Sequence, residues 1–218
     1  MTNKADMLGI SIDLCDTKQA TRMVCSYLNK ESSNTVFFVD EKLCRDIQDS
    51  DEARGLVNAS DMVLLSKKVG ADVDSMRIKT QIPIDASVFF DKLFTQLEKD
   101  MQELYIVTDT DEEVDILMDA MHTNKSNLLI QGSGMEDIGE YQYDMLTNNI
   151  NSVAPDVLLL CGGIDRQMDF LINYRTQINT SVCIFVGEEF KDISYLDSNE
   201  KGIMKKFKKT VIYKRFKK

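Results

Sequence analysis

Apolar residues in this chain occur in short dense runs, and between the runs they recur every three or four positions. The two spacings predict strands alternating with helices. The strand-like runs are Thr35-Val36-Phe37-Phe38-Val39, Asp61–Leu65, Leu104–Val107, Asn127–Ile130, Val157–Leu160 and Val182–Val186. Helical spacing links Met23, Val24, Tyr27 and Leu28, then Val88, Phe89, Leu93, Phe94 and Leu97, then Val114, Ile116, Leu117 and Met121. Glu41–Ile47, Tyr141–Ile150 and Gln167–Tyr174 also read as helices. Asp16 followed three positions later by Gln19 predicts a reciprocal cap at the start of the first helix. Met7 to Leu14 is an apolar opening segment, and Gly132-Ser133-Gly134 reads as a turn beyond the run that ends at Ile130.

Short apolar strands separated by crossover helices predict a doubly wound α/β fold: a mostly parallel, Rossmann-like sheet with helices on both faces and ligands at the carboxyl ends of its strands. Only Pro83 and Pro155 interrupt the body with proline, and no low-complexity linker divides it. One domain is therefore expected over residues 1–200. Beyond it the character changes, because residues 201–218 hold nine of the 26 basic residues and no acidic one. The chain's formal charge of -10 thus combines a strongly acidic body with a basic, amphipathic tail. In that tail Met204, Phe207 and Val211 lie at helical spacing among lysines, which suits contact with an anionic membrane surface or an acidic partner rather than general nucleic-acid binding. The opening segment is too short for a membrane span and follows Asp6, so a cytoplasmic protein is expected, peripheral to the inner face of the cell membrane if the tail docks there.

The five cysteines are dispersed and form no CxxC pair, so buried free thiols are expected. One histidine, His122, excludes a histidine-rich metal centre, and no metal or cofactor is expected. Asp109, Asp111, Glu112 and Glu113 have two readings, an oxygen-ligated cation or a helix start favoured by the macrodipole. The densest chemical signal runs from Pro155 to Gln167: an apolar strand, the pair Gly162-Gly163, then Arg166 and Gln167 near a helix start. Glycine lets a backbone approach a ligand, and helix N–H groups favour phosphate. The segment is either a diphosphate-binding edge or a close turn with a solvated arginine and a capping glutamine. Gly132-Ser133-Gly134 is a weaker candidate, since Asp137 stands where a dinucleotide motif has its last glycine.

From Met7 to Ile193 the residues resemble the WecG/TagA/CpsF family of bacterial glycosyltransferases. Leu8-Gly9-Ile10-Ser11-Ile12-Asp13 resembles the family's opening segment, Asn151 to Phe170 its central block, and Val182-Cys183-Ile184-Phe185-Val186-Gly187 with Phe190 a later strand and loop. The resemblance implies an inverting transfer of N-acetylmannosamine or a related N-acetylhexosamine from UDP to a polyprenyl-diphosphate-linked sugar in cell-envelope polysaccharide synthesis. It implies donor contacts from Gln167, with Arg77, Gly162, Gly163 and Arg166 as further candidates. The sequence departs from the family at the reacting centre. Where the family carries an Asp-Gly pair after the second strand, this chain reads Leu65-Ser66-Lys67. Phe38 and Asp40 stand for a threonine and an asparagine, Thr108-Asp109 for a glycine-rich strand end, and Asp165 and Met168 for a proline and a glutamate around the retained Gln167. Asp40 is the candidate replacement base and Lys67 a candidate phosphate contact; Ser66, Lys67 and Gly132 are the secondary site candidates. The alternative is a catalytically silent binding, regulatory or assembly homologue, paired with a homologous subunit or enzyme partner.

Overall fold

The structure is a computed structural model that describes residues 3–30, 32–66, 83–135, 143–186 and 190. Two strands open the chain, β1 (Asn3–Met7) and β2 (Ile10–Leu14), paired antiparallel through Leu8 and Gly9, both at positive φ. Helix α1 (Thr17–Tyr27) follows, then β3 (Asn34–Val39), α2 (Glu41–Asp46), α3 (Asp51–Asn58) and β4 (Met62–Leu65). The second half runs α4 (Ala86–Asp100), β5 (Glu103–Thr108), α5 (Asp111–Asn124), β6 (Leu129–Gly134), α6 (Tyr143–Val153), β7 (Val157–Leu160), α7 (Ile164–Tyr174) and β8 (Val182–Phe185). The strands β3 to β8 form one sheet in the order β4-β3-β8-β7-β5-β6, with every pair parallel.

Parallel strands covered on both faces must be apolar on both, and β3, β4, β7 and β8 are buried at every position. Alternate residues feed two cores. Val36, Phe38, Ile106, Leu159 and Ile184 pack with α1, α4 and α5, whereas Phe37, Val39, Val107, Leu160 and Phe185 pack with the hairpin, α2, α3, α6 and α7. In the first core Phe90 meets the rings of Phe38, Phe89, Phe94 and Phe190 at centroid separations of 5.3, 5.1, 5.6 and 4.9 Å. Phe190 thereby fastens the chain beyond β8 to α4.

The helix caps follow the local chemistry. At α1 the Asp16 carboxylate accepts from Gln19 N–H at 2.7 Å and Gln19 Oε1 accepts from Asp16 N–H at 3.1 Å, the predicted reciprocal cap. Three features differ from the expectations. The opening segment is half of a hairpin, because Leu8-Gly9 turns the chain back. Helix α3 was not expected, and its start is set by Ser50 Oγ accepting from Ala53 N–H at 3.1 Å. Gly132-Ser133-Gly134 belongs to strand β6 and is not a turn. A Cβ on Gly132 would stand 2.6 Å from Val114 Cγ1 and 2.7 Å from Ile106 O, so close packing of α5 and β5 excludes side chains there.

The hairpin protects the outer edge of β4. Asp13, 2% exposed, accepts from Val63 N–H through Oδ2 at 2.9 Å and pairs with Lys4 Nζ at 3.7 Å. Asn58 joins α3 to the hairpin by accepting from Ser11 N–H and donating to Gly9 O, both at 2.9 Å. Covering an edge in this way blocks pairing with another chain.

All five thiols are free, and four are buried. Burial pushes Cys15 up to about 11, Cys44 up to about 12 and Cys183 up to about 11, with nearby Asp13 and Asp40 adding to the first two. A thiol raised above its unfolded value of 9.0 favours the fold fully below that value, and the contribution is lost as pH rises through the folded value. Thermal midpoints measured from pH 8 upward should therefore begin to fall near pH 9. A flat profile to pH 11 would contradict this assignment.

Candidate functional site

Every helix-bound connection from a parallel strand leaves at the same edge of the sheet, so the loops there converge. From one side to the other this carboxyl edge carries Ser66 after β4, Asp40 after β3, Val186 after β8, Cys161-Gly162-Gly163 after β7, Asp109 after β5 and Gly134 closing β6. After β5 the chain moves outward to β6, and after β7 it moves the opposite way to β8. The β5/β7 boundary is thus the point where connections diverge, which is where ligands bind in open α/β sheets.

Four candidates meet at that boundary. Gly163 N–H donates to both Asp109 oxygens, at 2.9 Å to Oδ1 and 3.0 Å to Oδ2. Gln167 is fully buried on the first turns of α7, and its side chain folds back over the same turn. In the orientation that satisfies its neighbours, its carboxamide oxygen accepts from Cys161 N–H at 3.2 Å and from Gly162 N–H. A Cβ on Gly162 would lie 2.6 Å from the end of the Gln167 carboxamide and 2.7 Å from Asp109 Oδ1, so a larger residue there would push these side chains out of the turn. Arg166 is exposed beside this group and donates from Nη1 to Met135 O at 3.2 Å, while its own carbonyl accepts from Tyr143 Oη at 3.3 Å. Gly132 lies on neighbouring β6, against β5.

Asp109 is the residue that sequence reasoning left without a place in this turn. Its N–H donates to Glu113 Oε2 at 3.2 Å, while Thr110 Oγ1 caps α5 by accepting from Glu113 N–H at 3.1 Å. Asp111 Oδ1 accepts from Gly134 N–H at 2.6 Å. Asp109, Asp111 and Glu113 thus brace backbone amides where loops cross. Among the described residues no group of three or more His, Cys, Asp or Glu is placed to hold a metal ion.

Asp40 and Ser66 form a separate pair. Asp40 is buried at 8% exposure, and its Oδ1 caps α2 by accepting from Leu43 N–H at 2.6 Å. Ser66, also buried, donates its N–H to Val39 O at 2.8 Å and bridges in parallel to Ile84. β3 and β7 are separated by β8, so strand spacing alone sets the Asp40 and Gly162 ends about 10 Å apart. The candidates therefore fall into two groups along one edge. Arg77, Lys67, Gly187 and the basic tail lie outside the described residues, and no helix among the described residues is long and apolar enough to cross a membrane.

The glycosyl transferase WecG/TagA/CpsF family model matches residues 5–207, from the hairpin through the whole sheet. No curated protein matches the chain significantly. The family match takes in both groups on the carboxyl edge and the described α/β sheet that carries them. The chain belongs to the WecG/TagA/CpsF family, glycosyltransferases of cell-envelope polysaccharide synthesis.

Proposed function

We propose that the carboxyl edge of this sheet binds a UDP-linked N-acetylhexosamine and passes the sugar to a polyprenyl-diphosphate-linked acceptor. The supporting observation is the convergence of Gly162, Gly163 and Gln167 at the β5/β7 boundary of a chain that belongs to a glycosyltransferase family. The donor diphosphate lies at the Gly162-Gly163 turn with Arg166 beside it, and Arg77 and Lys67 supply further positive charge. The sugar then extends across β8 toward Asp40, a span of about 10 Å that an extended nucleotide sugar covers. An acceptor hydroxyl attacks the anomeric carbon, the bond to the UDP oxygen breaks with inversion, and the hydroxyl proton passes to the Asp40 carboxylate. The basic residues of 201–218 hold the body near anionic lipid, where the acceptor resides.

A matched assay tests this, with UDP-N-acetylhexosamines as donors and the polyprenyl-linked sugar presented in anionic vesicles, scored by new glycosidic product. Asp40→Asn is expected to fold normally, since asparagine caps a helix as well as aspartate does. It should lower turnover by about 100-fold or more while leaving donor affinity nearly unchanged, the signature of a lost base. Equal turnover would restrict Asp40 to its capping role at α2.

A second reading has its own support. Ser66 stands where the family carries a carboxylate, buried and bonded into the sheet, and Asp40 is already committed to the Leu43 amide. A silent nucleotide-sugar-binding or assembly homologue accommodates both. Calorimetry with UDP and UDP-N-acetylhexosamines separates the cases: binding without product favours a sensor or regulator, and neither binding nor product favours a subunit that assembles with an active homologue.

A further inference from the structure

A backbone amide that is to hold phosphate must be able to donate to it, and the turn after β7 already donates inward. Cys161 N–H goes to Val107 O at 2.8 Å and to the Gln167 carboxamide, Gly162 N–H to the same carboxamide, and Gly163 N–H to both oxygens of Asp109. The last contact is of a different kind, because it comes from an anion. A carboxylate placed symmetrically on an N–H at 2.9 and 3.0 Å occupies the position, and carries the charge, that a phosphate oxygen would bring. Asp109 is also held from behind, by its own N–H on Glu113 Oε2, and Asp111 and Glu113 place more negative charge in the same turn of α5.

We infer that Asp109 is the specificity-determining residue of this edge: its carboxylate fills the Gly163 amide as an internal anion, so a nucleoside diphosphate binds there only by displacing it. The inference rests on the proposal that the Gly162-Gly163 turn is the donor phosphate site. Two effects act together. The amide cannot serve the carboxylate and a phosphate equally, and two like charges at contact distance oppose each other strongly in a partly buried crevice. Asparagine at 109 removes the charge but keeps an acceptor for Gly163 N–H. Alanine removes both.

Binding of UDP to the full chain, measured by calorimetry alongside uridine, separates these effects. Asp109→Ala should bind UDP about tenfold or more tightly than the parent, with Asp109→Asn between them and uridine affinity unchanged, because the gain belongs to the phosphates. The Gly163 amide resonance, followed by NMR in each folded variant, should move with loss of the carboxylate and move again on adding UDP. The asparagine variant, being isosteric, also covers the case in which alanine does not fold. UDP affinity equal in parent and both variants would overturn the gatekeeping role and leave the donor site standing. A gain that extends equally to uridine would also overturn it. No UDP binding in any folded protein, with the Gly163 resonance shifted by the substitution but indifferent to UDP, would reject the donor site and the inference with it.

Discussion

Replacing Gln167 with alanine is expected to lower stability by about 2–4 kcal/mol, an effect on the fold that precedes any effect on a ligand. The carboxamide oxygen is the acceptor that draws Cys161 N–H and Gly162 N–H into the bend after β7, and Gln167 is fully buried. Removing it leaves buried amides short of a partner, at about 1–3 kcal/mol each. Part of that loss is already covered at Cys161, whose amide also donates to Val107 O. Urea denaturation measures the change, and Gln167→Met separates its causes. Methionine restores most of the volume without a comparable acceptor, so it should be nearly as destabilising as alanine. If methionine recovers the parent stability, packing rather than hydrogen bonding holds the turn. Donor affinity should be compared below the variant's unfolding range, so that a lost contact is not confused with a lost fold.

Phe90→Ala should have the largest effect of any single substitution considered, about 3–5 kcal/mol, out of the 5–15 kcal/mol typical of a domain. Phe90 is fully buried and makes ring contacts with residues from β3, from α4 and from the chain beyond β8. A cavity at this point cannot collapse easily on the side of Phe38, because that wall belongs to β3, a strand hydrogen-bonded on both sides, to β4 and to β8. The denaturation midpoint should fall with little change in slope, as it does when stability alone changes. A loss below about 1 kcal/mol would mean that the rings around Phe90 close over the gap. Exposed Ile172 on α7 offers a control, since its truncation to alanine should stay within about 0.5 kcal/mol.

Much of the architecture was legible because it rests on local rules. Strands β3, β4, β5, β7 and β8 are short apolar runs that a sheet buried on both faces requires, and they stand within a residue or two of the expected limits. The same holds for the Asp16 and Gln19 cap, where both partners lie within one helical turn. Helix α3 was missed because it is only eight residues long and carries Gly55 inside it, so its apolar face of Ala53, Leu56 and Val57 spans little more than one turn. The hairpin was half seen, since β1 is mostly exposed and polar, and only the β2 half carries an apolar pattern.

The parallel sheet was legible from periodicity alone, and the family from segments that resemble it, the block around Gly162-Gly163 and Arg166-Gln167 foremost. Strand order and the partners of side chains across it were decided only by tertiary structure. Nothing local brings Asp109 to Gly163 across 54 positions, or Asp13 to Val63 across 50. Those contacts exist because β5 lies beside β7, and because the hairpin folds over β4. The same motif could therefore be recognised as a candidate phosphate loop from its residues, while the carboxylate already seated on its amide became visible only once the two strands were neighbours.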